Sequence, residues 1–468
     1  MKVGFRVLWA AVFCVSLTAT CGFSPPISQS VVSDVIVTAA PAYEPLAALQ
    51  GRERFPNGAQ LLFIHDGSVT PLVNDFAATA DASVSFDGAS VLFSGKKIAT
   101  DPWQIWELNL ANRKIRQVVT SGSDAIRPLY LPGWRVVYAQ RTPQGFQLES
   151  SRLLDSKALE QIEGTGTKPI LALTYLSANV IPSDVLADGR ILFESKFPLG
   201  EGTTPELFLV YSDGSGVESY RCDHPAKAVD ARWGGRQIKS GDVVLTHGAY
   251  LARFTSALAH EERIRAPRAE YAGGIAETAS GQWLVSTRDS APARFALKLW
   301  KPGAPAMQTV LARTAENLVE PVVVVPHDRP RRHPSALHDW EYANLLALDV
   351  RISREGPLAA QPASVRLETQ DASGREVSMG TAPVEHDGSF FVKAPGDRAI
   401  RFVLLDAKGE VIRQEHGWFW IRRGEQRYCV GCHAGPERAP ENRAPQVLLH
   451  TTPVDLTGTP KQMQKGGN

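Results

Sequence analysis

The sequence predicts an all-β chain: a six-bladed β-propeller followed by a small β-sandwich-like domain. Three observations carry that expectation. A turn glycine followed by a short apolar strand recurs six times between Phe55 and Pro326. An apolar run, Pro321-Val-Val-Val-Val-Pro326, follows the repeats and could pair with the first of them to close a ring. Beyond Leu345 a second group of strand-like segments begins.

In chain order, residues 1–22 read as an export signal. Lys2 and Arg6 give a charged start, and Val7 to Leu17 is an apolar run too short to span a bilayer permanently. Thr18-Ala19-Thr20 then lead to Cys21, which is either the acylated first residue of a lipoprotein or part of a tail left by ordinary cleavage. Either outcome places the mature protein outside the cytoplasm, in the periplasm or anchored at the outer face of a membrane. Residues 23–54 are rich in Pro, Ala, Ser and Val without a clear period, and read as a linker.

Residues 55–327 form the expected propeller. The turn tokens are Gly58 before Ala59 to His65, Gly88 before Ala89 to Ser94, and Gly133 before Trp134 to Tyr138. Gly189 before Arg190 to Glu194, Gly241 before Asp242 to Thr246, and Gly281 before Gln282 to Ser286 complete the set. They lie roughly 30 to 56 residues apart, around the period of four-stranded blades. Second strands such as Trp103 to Leu108, Glu206 to Val210 and Ala296 to Trp300 support the reading. Closing the ring removes exposed sheet edges, which is why such repeats close.

A basic, proline-containing connector, residues 328–344, carries Arg329, Arg331 and Arg332. Residues 345–448 read as the second β-rich unit. Leu346 to Ile352, Ala363 to Glu368, Ser389 to Lys393 and the hairpin Ala399 to Gln414 supply its strands. Residues 449–468 are polar and read as a flexible tail.

The chain has 468 residues, 50 Lys plus Arg against 49 Asp plus Glu, and a formal charge of +1. With no basic stripe, nucleic acid is excluded as a partner. Chemistry concentrates instead at Cys429-Val430-Gly431-Cys432-His433. Cys-x-x-Cys-His is the attachment signature of c-type haem: two thiols reach two vinyl groups of one porphyrin, and the His binds the iron. A structural zinc site would need a second ligand pair, and only Cys14, Cys21 and Cys222 remain, far away. A thioredoxin-like pair would open a helix, whereas Ala434-Gly435-Pro436 follows here. One covalent haem c is therefore expected on Cys429 and Cys432, with His433 as proximal ligand. Candidate distal ligands are His416, His450 and Met463. The connector arginines are either solvated or partners of a haem propionate, and Cys222 is either a buried thiol or a disulfide partner of Cys21.

The C-terminal third resembles the haem-carrying middle domain of the hydrazine synthase alpha-subunit family. The resemblance rests on His386-Asp387-Gly388-Ser389-Phe390, on Val403-Leu404-Leu405-Asp406-Ala407-Lys408-Gly409, and on Gly424-Glu425 leading to the cysteine motif. It continues into Ala439-Pro440-Glu441-Asn442-Arg443, and the Pro326 to Ser335 connector is similar as well. The Ser85-Phe86-Asp87-Gly88 and Ala187-Asp188-Gly189 turns resemble those of TolB-like propellers. The resemblance implies fold and cofactor. In the family the active haem is associated with a Tyr four residues past the motif His, where this chain has Glu437, so hydrazine synthesis is not expected.

Three functions remain open at this point. One is electron transfer, with the propeller as docking platform for a redox partner protein. Another is an oxidoreductase acting on a small nitrogen or oxygen compound in the propeller–haem crevice. The third is a binding or sensor propeller with a structural haem.

Overall fold

A computed structural model describes residues 34–153, 170–199, 202–220, 230–256, 259–353, 356–371, 374–431, 441–450, 452–458 and 461–462. Residues 35–323 form six antiparallel sheets, five of four strands and one of five. Five sheets are contiguous in sequence. The sixth combines the strand Asn317–Val323 with Val35–Ala40, Gln60–His65 and Ser68–Pro71. Its register pairs Val35 with Val323, Thr38 with Val319 and Ala40 with Asn317, so the two ends of the repeat region close the ring in one sheet.

That closure explains the glycine tokens. Gly88, Gly133, Gly189, Gly241 and Gly281 all take positive φ, between 73° and 94°, in the turn from the innermost strand of a sheet to the next. Only glycine adopts this conformation without strain. Gly58 also has positive φ but precedes the third strand of its sheet and lies at the opposite end of the strands. Its N–H bonds the carbonyl of Ala77, at the start of an innermost strand. The sheet split between chain ends shifts that token out of register with the others.

Two expected boundaries change. Within the expected linker, Val35–Ala40 is a wholly buried strand, and Ala48 and Leu49 enter the main core. The strand was hidden because its inner partner lies more than 270 residues downstream, and apolar Ala-rich sequence has no period without that partner. The expected loose tail is also partly ordered: Val454 pairs with Val392, Leu456 is buried, and Lys461–Gln462 pairs with Ser378 and Val377.

The second unit is a sandwich. One sheet runs Gln426–Cys429, Tyr342–Ala347, Phe390–Pro395, Val454–Asp455; its first strand starts inside the expected connector. The other runs Val411–Gln414, Ile400–Leu405, Ser364–Gln370, Glu376–Pro383, Lys461–Gln462. Alternate residues Ala343, Leu345, Ala347, Val365, Leu367, Val392, Ala394, Phe402 and Leu404 fill the space between them.

Trp420 joins the two units. It is 1 % exposed and belongs to the propeller core, near Tyr175 and Phe193, while its Nε1 donates to the carbonyl of Gly214 at 2.9 Å. Arg422 donates to the carbonyl of Ala172, and Glu425 accepts from the N–H of Gly216. The connector lies along the propeller turns. A Cβ on Gly189 would fall 2.1 Å from the carbonyl oxygen of Arg331, and one on Gly88 would meet Pro326.

Candidate functional site

The site grows from an edge strand. Gln426–Cys429 runs parallel to Tyr342–Ala347, with Cys429 opposite Ala347, and among the described residues no strand pairs on its other side. Alternation sends Tyr428 outward, where it is exposed, and turns Cys429 toward the sandwich core, where it is half-buried. Burial pushes the Cys429 thiol up from its ordinary pKa, while the nearby Arg427 works the other way. The thiol is free.

After Cys429 the backbone turns over the sandwich end. The N–H of Leu348 bonds the carbonyl of Cys429, and that of Asp349 bonds the carbonyl of Val430. A Cβ on Gly431 would lie 2.5 Å from the carbonyl oxygen of Ile352 and 2.9 Å from that of Asp349. The glycine inside the cysteine motif is thus required by close backbone approach.

The chain is held again just beyond the motif. Arg443 bonds the Asp387 carboxylate, donates to the Asp387 carbonyl at 3.1 Å, and pairs with Glu441 at 2.9 Å. Arg351 donates to both Asp349 oxygens at 2.8 Å and to the Asp387 carbonyl at 2.8 Å. Burial opposes the Asp387 carboxylate. Bonds from the Ser389 hydroxyl, two backbone N–H groups and Arg443 outweigh it, leaving a pKa of about 2. These contacts form a latch, so Gly431 and Arg443 are both held at one corner. A shallow hollow of about 280 Å³ including open solvent lies there, lined by Leu348, Asp349, Ile352, Val430, Glu441, Arg443 and Pro445.

The expected residues distribute unevenly. Cys432, His433, Glu437, Met463, Cys21 and Cys222 lie outside the described residues. His416 is exposed and follows Glu415, whose charge bears on the Cys429 thiol. His450 is held by Glu385, with Nε2 2.8 Å from Oε1. The first part of the connector lies on the propeller, away from this corner. Arg329 sits over the Phe86 ring, the Arg331 N–H bonds the Ala187 carbonyl, and His333 stacks on Tyr211 at 3.8 Å. Arg351 and Arg443 bond Asp387 at the corner, and Arg427 lies near the Cys429 thiol. The sequence did contain their signal, because Asp387 and Arg443 belong to two of the quoted motifs; which pairs with which was not readable from spacing.

These features define a class: a ring of sheets carrying a sandwich whose edge strand runs into a Cys-x-x-Cys-His segment. Residues 353–434 match the family model described as the hydrazine synthase alpha subunit middle domain. The match reaches one residue past His433, so the resemblance read from the motifs holds over this stretch. Among solved structures the chain is similar to the hydrazine synthase of Kuenenia stuttgartiensis, with 17% identity and a TM-score of 0.77 over 90% of this chain and 71% of that one. It is also similar to TolB from Acinetobacter baumannii, with 11% identity and a TM-score of 0.45 over 64% of this chain and 68% of that one. No curated protein matches the chain. The hydrazine synthase likeness extends the shared fold across both propeller and sandwich.

Proposed function

We propose that this chain is an exported, monohaem c-type protein with a redox role. Its six sheets are the blades of a propeller that serves as docking platform for a redox partner. Cys429 and Cys432 hold one haem c by thioethers, and His433 is the proximal ligand. The observation that carries the reading is the placement of Cys429: a thiol outside any disulfide among the described residues, on an edge strand that leads directly to the tightly packed Gly431. The residues present fit the group. A thioether has no ionisable proton, which suits a position where burial disfavours the thiolate.

Bound there, the haem supplies a one-electron iron couple. The protein's part is positional. Gly431 lets the segment turn tightly over Ile352, the Asp387–Arg443 latch holds its far end, and Trp420 fastens the strand's approach to the propeller. His416, exposed and next to Glu415, and His450, which pairs with Glu385, are candidates for the second iron ligand, as is Met463. The hollow beside Val430 supports a second reading, in which the iron stays open on one face and an oxidoreductase acts on a small nitrogen or oxygen compound.

The test is the absorption spectrum of protein matured with haem-attachment machinery, oxidised and reduced, with and without carbon monoxide. Low-spin bands unmoved by carbon monoxide are expected for an electron carrier with two strong axial ligands. A high-spin spectrum shifted by carbon monoxide would establish the second reading, and absence of covalent haem would overturn both.

A further inference from the structure

The propeller carries a second cleft at the strand ends remote from the Gly88 and Gly189 turns. It is lined by Glu53, Arg54, Phe55, Asp81, Trp103, Asp124, Arg141 and Phe146, with Arg52 and Ile126 at its margin, and spans about 300 Å³ including open solvent. Lys96, whose ammonium lies over Trp103, pairs with Ala78 at the opening of an innermost strand, so these residues share the end away from the Ser85–Gly88 turn.

The wall repeats one arrangement three times. Arg54 lies 4.8 Å over the Phe55 ring and pairs with Asp81. Lys96 lies 5.1 Å over Trp103 and pairs with Glu53 at 2.7 Å. Arg141 lies 4.3 Å over Phe146 and pairs with Asp124 at 2.9 Å. Each cation thus has one ring and at least one carboxylate; Arg54 also bonds Glu320, which Arg127 pairs in turn, so the four cations and four carboxylates are neutral together. A ligand with net charge would bring an uncompensated charge into a half-buried site, which is costly.

Bonding capacity is nevertheless left over on both signs. Glu53 Oε1 takes both Lys96 Nζ and Trp103 Nε1, and among the described residues no hydrogen bond occupies Oε2. Arg141 uses Nε on Asp124 and Nη1 on the Gly51 carbonyl, and among the described residues no hydrogen bond engages Nη2. Arg54 has a side chain 3 % exposed, yet its Nε is buried without a partner. A buried donor left unpaired is costly and points to a missing acceptor.

We propose that this cleft binds a small zwitterion of the amino-acid type, its ammonium toward Glu53 Oε2 and its carboxylate toward Arg141 and Arg54, beside the Phe146 and Trp103 rings. Neutrality overall, with one free acceptor and free donors at separate places, selects a dipolar ligand over an anion or a cation. The site is independent of the haem.

Calorimetric titration of the full mature chain with glycine and L-alanine tests it, with acetate and methylammonium as singly charged controls. Saturable binding of an amino acid is expected, at least tenfold tighter than either control. Glu53→Gln keeps an acceptor for Lys96 and Trp103 but removes the charge, and a tenfold or greater loss is expected. Arg141→Gln is expected to weaken binding similarly, with circular dichroism checking that each variant is folded. No saturable binding of either amino acid at millimolar concentration, acetate or methylammonium binding as tightly, or undiminished binding by folded Glu53→Gln would each overturn the proposal.

Discussion

At the scale of single residues, the site depends on two thiols and one carboxylate. Replacing Cys432 by Ser should leave a protein attached to haem through Cys429 alone or not at all. Denaturing gel and mass spectrometry read this directly, and retention of a doubly linked haem would refute the assignment. Asp387 makes a separate prediction. Its folded pKa, about 2, lies below the ordinary 3.8, so folding favours the ionised form. The latch therefore contributes its full stability above about pH 4 and loses it as pH falls from about 4 toward 2. Asp387→Asn should lose most of that stability at neutral pH and flatten the acid limb of the melting curve. A variant whose acid sensitivity matches the parent protein would show that the latch does not carry it.

At the scale of elements, the closest approaches are where substitution should tell most. Gly189 holds φ at 90°, and a Cβ there would sit 2.1 Å from the Arg331 carbonyl oxygen. Gly189→Ala should cost about 1–3 kcal/mol from backbone strain alone and lift the connector from its turn. Faster protease cleavage within residues 328–338 would report the lifting. Gly241 also has positive φ, but a Cβ there would meet nothing within 4 Å, so Gly241→Ala should carry only the strain and leave the connector uncut. Elements of this kind were legible in the sequence for a local reason: a positive-φ turn demands glycine wherever it falls. The strand Val35–Ala40 was not, because its pairing with Asn317–Val323 is the most non-local contact in the ring. The candidate site divides in the same way. Cys429 could be read from a five-residue motif, whereas the Asp387–Arg443 latch spans 56 residues of sequence and exists only once two strands and a loop have been folded together.

At the scale of the whole molecule, one side chain decides whether the two units behave as one body. Trp420 leaves the sandwich and is buried among propeller residues, with Arg422, Glu425 and Arg427 bonding propeller backbone around it. The sandwich edge is thereby fixed relative to the propeller surface, as the proposed docking of a redox partner near the proposed haem would require. The coupling should appear in unfolding. Each unit has its own core, so without the shared tryptophan each can melt alone. With it, far-ultraviolet dichroism and haem absorbance should report one coincident transition. Truncating a large, fully buried aromatic costs about 3–5 kcal/mol, and here the loss falls on the contact between units. Trp420→Ala should therefore separate the curve into two transitions, with haem absorbance following the earlier one. If the two probes still coincide in the variant, the units are coupled elsewhere and Trp420 is simply a core residue.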